Sequence, residues 1–134
     1  MSVPVPEALQ NSTNTSVLEY IKDCSAHSDV VEALAEAVAP LGDVQTFCPD
    51  PSTYRYVLVS TKDVVFGLAA GMKTVAFRLD PLLKDHALQT GATDLPEAGP
   101  DWVSFTLFRD DWPEVDLMFW ARKAYVFARE TGGV

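Results

Sequence analysis

The sequence predicts an α+β fold: a single domain with an antiparallel sheet of about four to five strands and flanking helices. Three observations lead there. Residues 43–80 hold a series of short segments rich in β-branched and aromatic residues, separated by turns too short for parallel crossovers. Segments with helical periodicity precede and follow this series instead of alternating regularly with it. The chain has 134 residues, enough for one domain that buries its own core without metals or disulfides. No internal repeat and no linker divides it.

Taken in order, the elements read α(α)ββββαβα. Residues 1–16 are expected to be loose, with Pro4 and Pro6 early and the polar stretch NSTNTS at 11–16 offering helix caps. Val17, Leu18, Ile21 and Cys24 fall near one helical face. A second helix, or a continuation after a break near His27, starts at Ser28-Asp29 and carries the apolar stripe Val30, Val31, Leu34, Ala35 and Val38 until Pro40 and Gly42 stop it. Strands follow at DVQTFC (43–48), YRYVLVS (54–60), VVFGLAA (64–70) and TVAFRLD (74–80), with TKD and GMK as turns.

Asp80-Pro81 starts the next helix, with a capping carboxylate before proline in the first helical position, and Gly91 ends it. Residues 92–100 read as loop. DWVSFTLF (101–108) alternates as a strand should, with Trp102, Ser104, Thr106 and Phe108 on one face. Asp111 and Glu114 form a capping-box variant for a last helix from about Trp112 to Glu130, before Gly132-Gly133. This helix has two apolar sides. Val115, Met118, Phe119 and Val126 line one side with Arg122, and Leu117, Trp120, Ala121, Ala124, Phe127 and Ala128 line the other. A helix on one sheet face needs a single stripe. The second side therefore calls for another cover, either the N-terminal helices or a second subunit, and a homodimer with Leu117, Trp120 and Phe127 at its interface is expected.

Formal net charge is −9, concentrated in residues 1–50, which carry eight acids and one base. Such a charge opposes nucleic acid and anionic membranes and favours solubility. The longest apolar run, residues 64–72, is far short of the roughly 20 residues a membrane span needs. The first ten residues hold no basic residue and no long apolar core, so a cytoplasmic protein with Cys24 and Cys48 both reduced is expected. Asn11-Ser12-Thr13 and Asn14-Thr15-Ser16 match the glycosylation acceptor pattern but read better as a polar loop.

VAFRLDP followed by a helix and TGA, then WVSFTL, an Asp/Pro/Glu helix start and WARKAY, resembles the small bacterial α+β proteins of the YjbR, TfoX N-terminal and luciferase-domain type. The resemblance spans residues 64–130. It implies the fold more than an activity, carries over no catalytic residue, and brings contact with DNA into consideration.

Chemistry-bearing residues are sparse. His27 and His86 lie in no HxxxH or HExxH pattern and the cysteines in no CxxC, so no metal and no cofactor is expected. Cys24 and His27 are three apart, but no third group orients them. Asp101, Asp110, Asp111, Glu114 and Asp116 are dense without metal-site spacing and suit capping and solvation. Arg78, Arg109 and Trp102 form the candidate ligand-binding set: on neighbouring strands they would line one face fit for an anionic or aromatic ligand, unless the arginines pair with local acids. The expected role is a non-enzymatic binding or protein-interaction domain, chaperone-like in character. A sensor or enzyme using the sheet–helix groove is the second reading, and a nucleic-acid-binding regulator the third.

Overall fold

Short hairpins dictate the sheet. A computed structural model describes residues 6–21, 28–48, 56–70, 74–106 and 117–131. Among them are β1 (Gln45–Phe47), β2 (Val57–Thr61), β3 (Val64–Ala70), β4 (Thr74–Arg78), β5 (Thr93–Asp94) and β6 (Trp102–Thr106). All pairings are antiparallel, in the order β1-β2-β3-β4-β6-β5. The α+β class holds, with one strand more than expected. The extra strand is β5, a two-residue edge inside the stretch that composition marks as loop. It is too short to show alternation and exists only because β6 offers it a partner.

The helices are α1 (Thr15–Ile21), α2 (Ser28–Val38), α3 (Pro81–Gln89) and α4 (Leu117–Thr131). They cover both faces of the sheet. On one face, α2 contributes Val30, Leu34, Ala37 and Val38, and α4 contributes Trp120, Ala121, Ala124 and Ala128, against Val59, Phe66, Phe77 and Phe105. On the other face, Leu9, Val17 and Ile21 pack on Leu58, Val65, Leu68 and Trp102. This double cover explains why every residue of β2 and β3 is buried. Sheets solvated on one face alternate apolar with polar, whereas these central strands read as continuous apolar runs.

The N-terminal segment corrects one expectation. From Pro6 onward the described chain is anchored, not loose. Glu7–Leu9 form one 3-10 turn and Leu9 is buried. Asn14 is only 1% exposed. Its carboxamide donates to the Leu9 carbonyl at 2.8 Å and the Asp63 carbonyl at 2.9 Å, and accepts from the Val65 N–H at 3.0 Å. Asn11 donates to the same Asp63 carbonyl at 2.8 Å. These asparagines clamp the β2–β3 turn, where Lys62 (φ 50°) and Asp63 (φ 62°) are both left-handed, as a two-residue type I′ hairpin turn requires.

A bulge shapes the centre of the sheet. Val59 pairs with Gly67 and Ser60 with Val65, so Phe66 is skipped. Phe66 and position 67 then share a face, and a Cβ at Gly67 would lie 2.9 Å from Val59 Cγ2 and 3.1 Å from the Phe77 ring. Only glycine fits beside the bulged phenylalanine. At the start of α3, Asp80 accepts from the Leu83 N–H at 3.0 Å and Pro81 takes the first turn, as expected. Residues 107–116, with the proposed Asp111–Glu114 cap and Trp112, lie outside the described residues, as do the GMK turn, residues 22–27 and Gly132-Gly133. Among the described residues no helix is long and apolar enough to cross a membrane.

Candidate functional site

The Arg–Trp set divides between uses inside the chain. β4 and β6 are neighbours and Arg78 stands directly opposite Trp102. Trp102 is 3% exposed, within the cluster that α1 covers. The Arg78 guanidinium carbon lies 4.5 Å from the centre of the Phe127 ring, and Nη2 is 3.9 Å from the Asp101 carboxylate. Burial lowers the Arg78 pKa from its ordinary value, and the Asp101 charge opposes that shift without reversing it. Contact with Phe127 and a local acid thus occupies this cation. Arg109 lies outside the described residues.

The candidate interface residues sit on the inner side of α4. Trp120 is 5% exposed, with ring centres 5.5 Å from Phe105 and 5.7 Å from His86. Leu117 is half-buried against the main core, and Phe127 is half-buried beneath Arg78. Solvent instead meets Met118, Phe119 and Val126, which are 48%, 38% and 44% exposed. α2 lies beside α4 and α1 lies across the sheet, so neither N-terminal helix covers that outer side.

The remaining candidates do not assemble a reactive centre among the described residues. His86 is exposed and stacks near Trp120. Asp101 pairs with Arg78, and no group of three His, Cys, Asp or Glu side chains there could hold a metal ion. Cys24, His27, Asp110, Asp111, Glu114 and Asp116 lie outside the described residues.

An open, apolar groove lies where the sheet extends past α2. Its volume is about 260 Å³. Val31, Leu34 and Ala35 of α2 form one wall. The floor is Val57 and Val59 of β2 with Thr46 and Cys48 at the edge of the sheet. Register explains the floor: Thr46 stands opposite Val59, so both point to the α2 side. α2 itself rests on β3 and β4 with α4 beside it, and among the described lining residues solvent reaches the groove at Ala35 and Thr46, while Val57 and Val59 are buried beneath it. Cys48 is half-buried and has a free thiol. None of the described lining side chains is charged.

Sequence reasoning names the wall residues but not the groove. Ala35 extends the α2 stripe beyond what its packing uses, for Val30 and Leu34 are fully buried and Val31 packs partly against the core while Ala35 is exposed. That surplus width is the signal a sequence can carry. The small floor residues Thr46 and Cys48 leave the space unfilled.

The chain matches no protein-family model, and neither a curated protein nor a solved structure is significantly similar to it.

Proposed function

We propose that this chain is a non-enzymatic, cytoplasmic binding domain whose site is the groove between α2 and the β1–β2 end of the sheet. The observation that carries this reading is the lining: among the described residues it is seven side chains, all uncharged and mostly aliphatic, around an open volume of about 260 Å³. Each apolar side chain that enters such a space gains roughly 1.5–3 kcal/mol from burial. Among the described lining residues Cys48 is the only thiol and no base lies beside it. A nucleophile without a base to activate it supports binding over covalent catalysis. A second reading, a small apolar ligand in the same groove, is favoured by the volume, which approaches the roughly 300 Å³ at which small-molecule pockets begin.

Nile red, a neutral dye that brightens in apolar surroundings, tests this. The wild-type protein should bind it saturably. Ala35→Phe, a change at an exposed position on the groove wall, should fill the space and abolish the signal while leaving the thermal transition in place. Equal dye binding by both proteins, or none by the wild type, contradicts the proposal.

The expected homodimer belongs to this proposal as a separate surface. The outer side of α4, with Met118, Phe119 and Val126, is where a second copy would pack.

A further inference from the structure

We infer that the groove receives an extended, lysine-flanked peptide segment that adds to β1 as a further strand. This rests on the groove reading above and names the class of partner. Three features carry it.

The first is the edge. β1 pairs with β2 on one side, and among the described residues no strand pairs with its other side. Gln45 and Thr46 are exposed and Phe47 is half-buried. Edge strands are normally guarded by lysine, proline, a bulge or a covering element. β1 is short but contains no charge and no proline. The opposite edge is better closed: β5 has only two residues, and the Lys84 ammonium reaches from α3 to the Asp94 carboxylate at 2.9 Å.

The second is the relation of edge to groove. A strand laid along β1 continues the pleat, so alternate side chains point to the α2 side. They would enter beside Thr46 and Cys48, under Val31 and Ala35. Main-chain hydrogen bonds to β1 would hold the segment, and apolar side chains at every second position would select it.

The third is charge. Residues 28–48 contain Asp29, Glu32, Glu36 and Asp43 and no lysine or arginine. Asp43 is answered by Arg129 at 3.6 Å. Glu32 and Glu36 are exposed and have no cationic partner among the described residues. Each follows a groove residue, Val31 or Ala35, by one position, which places it about 100° further round the helix, on the solvent side of the groove wall. A segment with lysines at its ends meets these carboxylates, and an acidic one is repelled.

The probe is the labelled peptide Lys-Lys-Val-Thr-Val-Thr-Val-Lys-Lys, followed by fluorescence anisotropy and by hydrogen exchange at the Gln45, Thr46 and Phe47 amides. Binding should slow exchange at β1. Replacing the lysines with glutamates should weaken it by about tenfold or more. N-methylation of alternate peptide nitrogens on the β1-facing edge should do the same by removing the ladder bonds. Equal affinity of the N-methylated peptide, equal affinity of the acidic one, or unchanged exchange at β1 overturns the inference. Self-association of the protein that slows the same β1 amides also overturns it, because a second copy then occupies the edge. Nile red separates the two levels: dye binding that Ala35→Phe abolishes, without peptide binding, leaves the groove reading standing and sinks the peptide. Loss of both sinks both.

Discussion

Asn14 does more for this fold than its polar neighbourhood in sequence suggests. Its carboxamide is buried and satisfies two carbonyls and one N–H. Removing it leaves the Val65 N–H and the Leu9 carbonyl without that partner inside the protein. A buried group so orphaned costs about 1–3 kcal/mol. Asn14→Ala should therefore lose about that much stability in chemical denaturation. Asn11→Ala should lose about 1 kcal/mol or less, since Asn11 is more exposed and shares the Asp63 carbonyl with Asn14. Equal losses would show that the clamp is not centred on Asn14. The burial also bears on the glycosylation pattern at Asn14-Thr15-Ser16, because a glycan on that nitrogen would replace one of the two hydrogens it donates to Leu9 and Asp63 at a side chain only 1% exposed. Sequence could not reveal this. The stretch reads as loop by composition, and its hydrogen bonds reach residues some fifty positions away.

Element by element, the sequence is legible where local rules decide. Asp80-Pro81 and the positive φ of Gly91 bound α3, and the two-residue turn after β2 forms a hairpin. It is less legible where packing decides. β5 follows from its neighbour, and the bulge at Phe66 is marked only by the glycine that follows it. α4 lies between these cases. Its two apolar sides are plain in the sequence, but only the fold says that Trp120 points inward and Met118 outward. The two sides should respond differently to mutation. Trp120→Ala should cost about 3–5 kcal/mol, as loss of a large core side chain does. Met118→Glu with Val126→Glu should leave the thermal transition nearly unchanged and convert a dimer into a monomer in sedimentation. A wild-type protein that is monomeric at high concentration would show that the outer side of α4 serves no self-association.

At the scale of the whole molecule, the two faces of the sheet are unequally finished. Among the described residues, α1 with the N-terminal turn covers one face, and α2 with α4 covers most of the other, stopping short of β1. The candidate site is that shortfall. Arg78 and Trp102 were visible in the sequence because arginine and tryptophan are conspicuous, yet the fold spends both on internal contacts. The groove was hidden because its residues are ordinary: valines, a leucine, an alanine, a threonine and a cysteine. Its one chemical handle among the described residues is Cys48, and the most direct test uses it. In a Cys24→Ser background, the rate at which a small maleimide modifies Cys48 should fall as Nile red saturates the protein, because the dye and the thiol share the groove. A modification rate unchanged at saturating dye would place the binding site elsewhere and contradict the account.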